Sequence, residues 1–412
     1  MTHEVNEPSA KYLARASHKR TAIGLIPNDW AVLALADIAA IERGKFSARP
    51  RNDPRYYGGE FPFIQTGDVT RSSGSITTFT QTLNREGLRV SRLFPEGTLF
   101  FTIAANIGDV GIAKFEAACP DSLVAMVPHA GIQKGWLLYE LARRKSDFES
   151  LASPGAQLNI NLEKLRPYLL PVPTEAEQRA IAAALSDVDA LIAGLEKLIV
   201  KKRDLKQATM QQLLTGQTRL PGFSGEWVVK RLGEICEISM GRTPARLKPA
   251  FWGAGHVWLS IADLHGKVLS SSKEQITPLA ASSMRVIPKG TLLMSFKLSI
   301  GRLCFAGCDL YTNEAICGFN NLLANSDYLY YALSRTDFSL YGKQAVKGYT
   351  LNKKSIALVE VALPSDEEQA AIANVLSSMD AELSDVENRL AKTRDLKQGM
   401  MQELLTGRTR LV

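Results

Sequence analysis

The sequence predicts an α+β protein in which two β-rich globular domains, related by a pseudo-two-fold axis, are separated by two long antiparallel helices that form a coiled coil. Two observations predict this architecture. A segment with helical periodicity occurs twice, its copies beginning at Pro173 and Pro364, and internal repeats of this kind determine an architecture. Each copy also follows a stretch of short apolar runs separated by Gly, Pro, Asn and Ser, which is typical of strands. The predicted segments are an N-terminal arm (1–24), a first domain (25–172), a first helix (173–216), a second domain (217–363) and a second helix (364–412).

Each repeated segment has the periodicity of a long helix. Its apolar residues recur at alternating intervals of four and three, the heptad spacing of a coiled-coil seam, so we expect the two copies to pair. Two unrelated surface helices on separate cores are the alternative. About 40 residues at 1.5 Å each predict a rod of roughly 60 Å. The seam residues are Ile181, Leu185, Val188, Ile192, Leu195 and Ile199 in the first copy, and Ile372, Leu376, Met379, Leu383, Val386 and Leu390 in the second.

Matching signals mark the ends of both helices. A capping box, in which an N-cap hydroxyl and a glutamate three residues later each accept a backbone N–H, is predicted for Thr174 with Glu177 and for Ser365 with Glu368. Glycine is common just after a helix, and it follows the last apolar residues at Gly216 and Gly407.

The regions before the two helices also match, though more weakly. The paired stretches are 30–35 with 227–232, 44–49 with 241–246, 63–68 with 258–263, 94–99 with 287–292, and 155–159 with 348–352. Strands are predicted at 98–103, 108–115, 123–127, 291–296 and 302–306, and short helices at 135–144 and 328–335. The chain is therefore a tandem of domain, helix, domain, helix.

Composition restricts the class of protein. A chain of 412 residues with a net charge of +7 allows several domains and leans toward an acidic partner. Its five cysteines form no CxxC pair, which argues against a metal site and suits thiols in a reducing cytoplasm. No apolar run approaches the length of a membrane span, so no membrane association is expected.

Motifs for catalysis are missing. The sequence has no GxxxxGK[ST] phosphate loop, no GxGxxG after a strand and no GxSxG elbow. Its histidines are scattered, and His265, near Asp263, is interpreted as a structural or surface residue. We therefore predict no catalytic residue, no bound metal and no bound cofactor.

Basic loops edged with aromatic residues remain, and such loops suit phosphate contact with stacking. Solvated loops are the alternative, but the Gly-basic-x-x-Ala-Arg pattern occurs in both halves. The amides Gln65, Asn159 and Asn352 are candidates for reading bases, because Gln and Asn pair with adenine. The other predicted nucleic-acid contacts are Arg43, Lys45, Arg49, Arg51, Arg55, Tyr56, Arg242, Arg246, Lys248, Trp252, Lys297, Lys347 and Tyr349.

These motifs resemble one family, the specificity subunits of type I restriction–modification systems. The likeness rests on the Pro-x-x-x-Glu-Gln helix starts, the Leu-Leu-Thr-Gly-x-Thr-Arg-Leu helix ends, and Gly-Arg-Thr-Pro followed by Trp-Gly and Trp-x-x-x-x-Asp. It covers nearly the whole chain beyond the N-terminal arm. The first half departs from the pattern, with Phe63 in place of Trp258 and Tyr57-Gly-Gly in place of Trp252-Gly.

The resemblance implies a division of labour. Each domain would be a target recognition domain that reads one part of a bipartite sequence in double-stranded DNA. The helices would separate the domains and dock two methyltransferase subunits, which methylate adenine. Nuclease–translocase subunits would join the full complex. S-adenosylmethionine, ATP and Mg²⁺ are expected on these partner subunits and not on this chain.

Beyond the seam, each helix keeps an apolar stripe that we predict to contact partner helices. The stripe comprises Leu205, Met210 and Leu213 in the first copy, and Leu396, Met401 and Leu404 in the second. Two other classes stay open from the residues alone: an interaction scaffold, which would not bind DNA sequence-selectively, and a stand-alone nuclease, which would cleave DNA with a metal and no partner.

Overall fold

The computed structural model describes residues 18–152, 159–345 and 348–411, without the side chains of residues 343–345, 348 and 349. It divides into two compact units, called unit 1 (Met1–Glu196 with Arg389–Val412) and unit 2 (Lys197–Asn388). In the described ranges, no helix has both the length and the apolar character needed to cross a membrane. Each unit contains one globular domain and parts of both long helices.

Unit 1 is built around a mixed five-stranded sheet in the order β4-β12-β9-β10-β6, where only β6 runs parallel to its neighbour. Unit 1 also contains a four-stranded sheet in the order β7-β5-β11-β8. The strands are β1 His18–Thr21, β2 Gly24–Pro27, β3 Ala31–Ala34, β4 Ala39–Arg43, β5 Tyr57–Phe63, β6 Ser75–Ile76, β7 Gln81–Leu83, β8 Leu93–Phe94, β9 Leu99–Thr102, β10 Val110–Ala113, β11 Ala117–Ala118, β12 Leu123–Pro128 and β13 Leu169–Val172. The helices are α1 Leu35–Ile38, α2 Thr66–Arg71, α3 Arg85–Arg89, α4 Lys134–Arg143, α5 Lys145–Leu151, α6 Leu162–Leu165 and the long α7 Glu175–Leu213, with a 3₁₀ turn at Pro54–Tyr56. Strand β1 falls within the range predicted as an arm.

Unit 2 repeats this plan, with its five-stranded sheet in the equivalent order β15-β22-β19-β20-β17 and a second sheet β18-β16-β21. The strands are β14 Val228–Arg231, β15 Glu237–Met240, β16 Trp252–Leu259, β17 Val268–Leu269, β18 Glu274–Ile276, β19 Leu292–Ser295, β20 Leu303–Ala306, β21 Tyr311–Thr312, β22 Ile316–Asn320, β23 Lys343–Ala345, β24 Gly348–Thr350 and β25 Glu360–Leu363. The helices are α8 Leu232–Ile235, α9 Pro278–Ala281, α10 Ser326–Ser334, α11 Lys353–Ala357 and the long α12 Asp366–Leu404, with 3₁₀ turns at Pro249–Phe251, Ile261–Asp263 and Phe338–Tyr341. The predicted strands and short helices are confirmed to within a few residues.

The central strands β9 and β19 are buried on both faces, which explains why their sequences are apolar without alternation. In β9, Phe101 packs edge-on against Phe148 of α5 at 5.0 Å, while its neighbour Phe100 faces the other way and packs against Phe94 at 6.0 Å. Each unit therefore has one core between sheet and helices and a second core between its two sheets.

The long helices run antiparallel, as predicted. Every predicted seam residue is buried or half-buried. In unit 1 the partners of Asp189 and Glu196 are Lys397 and Arg394, and in unit 2 those of Arg203 and Lys206 are Glu387 and Asp380, so the two helices run in opposite directions in each unit. The charges that flank the seam form ion pairs: Asp189–Lys397 (2.6 Å) and Glu196–Arg394 (2.6 Å) in unit 1, and Lys202–Glu382 (2.6 Å), Arg203–Glu387 (2.5 Å) and Lys206–Asp380 in unit 2. The Arg and Lys of the repeated Arg-Asp-Leu-Lys-Gln motif are thus used inside the helix pair.

The predicted capping boxes are wrong in their second half. Thr174 and Ser365 do accept the N–H groups of Glu177 and Glu368, at 3.4 and 3.3 Å. The two glutamates, however, are 2% and 1% exposed and bind an arginine in place of the N-cap backbone. A bidentate charge-assisted pair is stronger than a bond to one backbone N–H, so the arginine wins.

That arginine lies in the segment after the other long helix, within the same unit. In unit 1, Arg410 binds Glu177 through two nitrogens at 2.6 and 2.8 Å, and the Trp30 indole N–H also donates to Glu177 at 2.8 Å. In unit 2, Arg219 binds Glu368 through two nitrogens, both at 2.6 Å. The two helix ends are thereby tied together at each domain, and we call these contacts the unit 1 and unit 2 clamps.

The glutamine that follows each glutamate also has a structural role. Gln178 and Gln369 are buried, and their amide N–H groups donate to the carbonyls of Pro173 and Pro364, both at 2.9 Å. Their carbonyl oxygens accept the backbone N–H just before α4 and α10, also both at 2.9 Å. The Glu-Gln pair therefore anchors each long helix to its own domain.

Candidate nucleic-acid interface

The basic loops begin at glycines that the backbone geometry requires. Gly44 follows β4 and Gly241 follows β15, and each lies close to the turn that precedes the neighbouring strand of its sheet, β12 or β22. A Cβ atom at Gly44 would lie 2.1 Å from the carbonyl oxygen of Pro120, and one at Gly241 would lie 2.1 Å from that of Asn313. Glycine at these positions brings the basic loops against an acidic turn.

The acidic residues of those turns are Asp121 and Glu314, which lie two residues before strands β12 and β22, the neighbours of the central strands. Asp121 forms an ion pair with Arg51 at 2.7 Å, and its backbone oxygen accepts from the Arg43 side chain at 2.7 Å. In unit 2, Thr243 donates its hydroxyl to Glu314. Each acid therefore holds the basic loop of its own unit.

Glu314 has a pKa below its ordinary value. The main cause is the hydrogen bond from Thr243, and the nearby charges of Lys297 and Arg246 lower the pKa further. The carboxylate thus stays ionised at neutral pH and brings these two predicted cations into one electrostatic cluster on the loop face of unit 2. Glu314 and Glu274 offset the charges of Lys297 and Arg246, and Arg242, exposed on the same loop, leaves the cluster a net positive charge that attracts phosphates.

Aromatic residues in unit 2 orient an arginine. The Arg246 guanidinium lies 4.0 Å from the ring centre of Trp252 and 5.0 Å from that of Trp258, and it forms an ion pair with Glu274 at 2.7 Å. Both predicted residues, Arg246 and Trp252, therefore lie together, but in this structure they position each other.

Unit 1 holds its arginines differently. Arg55 lies over the Tyr56 ring at 4.7 Å, donates to the Tyr56 hydroxyl at 2.6 Å and pairs with Asp53 at 3.0 Å. Arg49 donates to the carbonyl of Ala48 at 2.7 Å. In unit 1, Arg43 and Arg51 contact Asp121 while Arg49 and Arg55 have other partners, whereas in unit 2 Arg246 and Lys297 both act on Glu314.

The loop that follows the central strand reaches the same face in both units. The Ile103 N–H donates to Ser122 at 3.2 Å and the Phe296 N–H donates to Ala315 at 2.9 Å, beside the acidic residues. Lys297, a predicted contact, belongs to this loop and lies 5.6 Å from the Phe296 ring centre. Each unit therefore presents a loop face composed of the basic loop, the acidic turn and this loop.

The predicted equivalence of Asn159 and Asn352 is wrong by two residues. Asn352 is the N-cap of α11 and accepts the Ser355 N–H at 3.0 Å, while the N-cap of α6 is Asn161, which accepts the Lys164 N–H at 3.0 Å. The side-chain oxygen of Asn352 is thus occupied by a helix cap. The oxygen of Asn159 is buried, and it has no hydrogen-bond partner among the described residues.

The remaining predicted contacts divide into exposed cations and an amide. Lys45 and Arg242 are exposed, and neither side chain forms a hydrogen bond or ion pair within the described ranges. Lys248 lies 5.4 Å from the Phe251 ring centre, and Gln65 donates to Gln81 at 3.0 Å. Lys347 and the side chain of Tyr349 lie outside the described residues.

Sequence reasoning missed the two acids that organise the loop faces, because a single carboxylate in a basic region gives no motif. Their matching positions in the two halves of the sequence could have identified them. Asp121 and Glu314 each stand two residues before an apolar run, Leu123–Pro128 and Ile316–Asn320, at matching places in the two halves.

The predicted partner stripe on the helices is also smaller than expected. Met210, Leu213, Met401 and Leu404 pack into or against the core of their own unit, because the ends of the helices are covered by the domains. Leu205 and Leu396, which occupy equivalent positions in the repeat, remain 56% and 57% exposed.

Comparison with known proteins matches both halves of the chain to one family. The model of the type I restriction–modification DNA specificity domain matches residues 27–201 and again residues 224–393. The two matches cover most of the chain and agree with the internal duplication.

Individual relatives extend over similar lengths. The provisionally named specificity subunit of the type I restriction enzyme MjaX from Methanocaldococcus jannaschii is 25% identical over 434 aligned positions, covering 97% of this chain and 98% of its own. The MjaIX specificity subunit from the same organism is 25% identical over 299 positions, 67% of each chain. The crystal structure of a type I restriction–modification S subunit from M. genitalium covers 91% of this chain and 96% of its own with a TM-score of 0.57 at 14% identity, a likeness of fold.

Proposed function

Because the chain belongs to the type I restriction–modification DNA specificity family, with two copies of the specificity domain, we propose that it reads an asymmetric bipartite target in double-stranded DNA. Each unit reads one half of that target through its loop face. The chain itself is not a catalyst, and it acts in the cytoplasm where its DNA lies.

One observation carries this proposal. The two loop faces share the same backbone arrangement but differ in the charged and aromatic side chains at their edges. Glycine, acidic turn and strand loop recur in both units, yet Arg51 pairs with Asp121 in unit 1 while Arg246 stacks on Trp252 in unit 2. A common frame with different cations and aromatics suits the reading of two different half-sites, because phosphate contacts position a protein and base contacts specify the sequence.

The long helices supply the partner surface. The Arg and Lys of each Arg-Asp-Leu-Lys-Gln motif form internal ion pairs, whereas Leu205 and Leu396 project into solvent from the same motif. An exposed leucine at the same position of both copies fits a site used twice, so two methyltransferase subunits dock here. Nuclease–translocase subunits complete the assembly, and S-adenosylmethionine, ATP and Mg²⁺ bind those partners.

Footprinting tests the DNA proposal. The chain is combined with its methyltransferase subunits on random-sequence DNA, and the expected result is protection of two short, different sequences separated by an unspecific spacer. A complex that protects no defined sequence, as an interaction scaffold would, contradicts the proposal. Cleavage of DNA by the chain alone with Mg²⁺ would favour a nuclease instead.

A charge reversal tests the docking surface. Leu205→Glu combined with Leu396→Glu should prevent the methyltransferase subunits from co-purifying with the chain while its own fold is kept. Leu25→Glu, at an exposed leucine of strand β2 (68% exposed), is the matched control and should leave the complex intact. Normal assembly of the double variant would remove these leucines from the interface.

Shortening both helices tests whether they set the spacer. Deleting one heptad from each, residues 197–203 and 383–389, keeps the seam in register because the seam repeats every seven residues. A loss of about 10 Å of helix should shorten the preferred spacer by about three base pairs. An unchanged spacer preference would show that the helices do not measure the distance.

A further inference from the structure

The loops that follow the central strands, 103–109 after β9 and 296–302 after β19, are built alike. The last residue of each strand, Thr102 or Ser295, has a buried side-chain hydroxyl, and this hydroxyl forms hydrogen bonds with two backbone groups of the loop that follows. The Thr102 hydroxyl accepts the Asp109 N–H at 2.9 Å and donates to the carbonyl of Asn106; the Ser295 hydroxyl likewise accepts the Arg302 N–H at 3.1 Å and donates to that of Ser299. The tips of both loops are therefore held in a fixed conformation.

At the tip, both loops place a non-glycine residue in the left-handed region. Ala105 has φ of 63° and Leu298 has φ of 62°. Side chains with a Cβ are disfavoured there, and a bulky residue such as leucine is uncommon. Glycine would relieve the strain, and strained residues of this kind cluster at functional sites.

Leu298 makes little use of its side chain within the protein, since it is 77% exposed. It follows Lys297, whose charge acts on Glu314 together with that of Arg246. A rigid loop thus holds an apolar side chain at the rim of a cationic face. Cations suit the phosphates of a duplex, and an exposed aliphatic group beside them suits an apolar feature of the bases, which in the major groove is the 5-methyl group of thymine.

Unit 1 provides the internal contrast. Its equivalent loop carries Ala105 between Ala104 and Asn106, so the tip has the same backbone but no large apolar side chain. Asn106 also donates to the Thr70 hydroxyl at 3.2 Å, a contact inside the unit. Of the two loop faces, as far as their residues are described, that of unit 2 alone has a large apolar side chain at the left-handed position.

We propose that Leu298 is a specificity-determining residue that contacts the 5-methyl group of a thymine in the half-site read by unit 2. This inference rests on the proposed function, because it requires that the loop face of unit 2 meets base edges. Leu298 discriminates thymine from the other bases at one position, and the loop after β9 makes no equivalent contact in the other half-site.

Uracil substitution tests the contact, because deoxyuridine differs from thymidine only by that methyl group. The complex with methyltransferase subunits is titrated against its target duplex, in which each thymine of the unit 2 half-site is replaced in turn by uracil. For the natural chain, one replacement should weaken binding about fourfold, the value of one buried methyl-sized group. Leu298→Ala and Leu298→Gly should bind the thymine and uracil duplexes equally, and the glycine variant also removes the backbone strain.

Leu323→Ala is the matched control, because Leu323 is an exposed leucine of the same unit (73% exposed) and should keep the fourfold preference. The proposal is overturned if the unit 2 half-site contains no thymine, if no uracil replacement weakens binding, or if the Leu298 variants still prefer thymine. In each of these outcomes a bipartite target is still bound, so the function proposed above survives. A complex with no defined target fails at the earlier step.

Discussion

The clamps and the loop faces occur in both units, but the two copies of the clamp have kept the same residues while the two copies of the loop face have not. In both clamps an arginine after one long helix forms a bidentate pair with a buried glutamate at the start of the other, Arg410 with Glu177 and Arg219 with Glu368. In the loop faces only the glycine, the acidic turn and the strand loop are shared. The cations, aromatics and tip residue differ.

This difference indicates which contacts the duplicated chain must keep. A clamp that fails would release a long helix from its domain, so both copies retain the same residues. The loop faces can vary because the frame beneath them is fixed by backbone contacts. Even the clamps differ at the tryptophan: the Trp30 indole N–H is bonded to Glu177, while the Trp227 indole N–H is buried and has no partner among the described residues.

The largest effect is expected from removing a clamp glutamate. Glu177→Ala removes the acceptor of the Trp30 indole N–H and one of the two carboxylates that bind Arg410, the other being Asp29. Unit 1 should therefore lose about 3 kcal/mol of unfolding free energy, the low end of the usual cost of breaking a buried pair. Glu368→Ala should cost about 1–3 kcal/mol less, because no indole bond is lost. Urea unfolding followed by tryptophan fluorescence gives both values, and a larger loss for Glu368→Ala would contradict the ranking.

Replacing the glutamine that anchors each long helix to its domain should destabilise the two units equally. Gln178→Ala and Gln369→Ala each remove a side chain that bonds two backbone groups at matched distances. Each variant should lose about 1–3 kcal/mol by leaving those groups without a partner. Hydrogen exchange at the first turns of α4 and α10 measures the loss, and a clear inequality between the two variants would mean that the anchors are not equivalent.

Replacing the clamp tryptophans separates the two clamps further. Trp30→Phe should destabilise unit 1 about 1–2 kcal/mol more than Trp227→Phe destabilises unit 2, since of these two indole N–H groups only that of Trp30 has an acceptor in the part of the chain that the structure describes. Both replacements remove a similar volume, so each serves as the control for the other in thermal unfolding. Equal losses would assign the role of Trp30 to packing alone.

The smallest effect depends on pH. Arg410 also pairs with Asp29 at 2.6 Å, and its hydrogen bond is the main reason that the pKa of Asp29 lies below its ordinary value of 3.8. Because the pKa of Asp29 is lower in the folded protein than its ordinary 3.8, the carboxylate stabilises the fold at pH above 3.8. This contribution is lost as the pH falls through the folded pKa. Asp29→Asn should therefore cost up to about 1 kcal/mol at neutral pH and nothing at the acid limit. A cost that does not fall as the pH is lowered below 3.8 would assign the effect to the lost oxygen acceptor and not to the charge, because Asn keeps the shape of Asp.

Much of the fold was accessible from the sequence, because periodicity and repeats report it directly. The heptad spacing from Ile181 to Ile199 predicted the helix pair, and the apolar run at 98–103 predicted a strand. The capping-box prediction was wrong because Glu177 binds an arginine 233 residues away in sequence and Glu368 binds one 149 residues away. No local pattern encodes such a distant partner. For the same reason, Asp121 and Glu314 were not predicted, since they act on residues that only the sheet brings close to them.

The last residues of unit 1 have a consequence for synthesis. Residues 389–411 belong to the same unit as residues 18–196, and Arg410 completes the clamp on Glu177. Domains usually fold in the order in which they leave the ribosome. Here unit 2 is complete in the emerging chain while unit 1 still awaits its closing helix. The unit translated first is thus the one finished last.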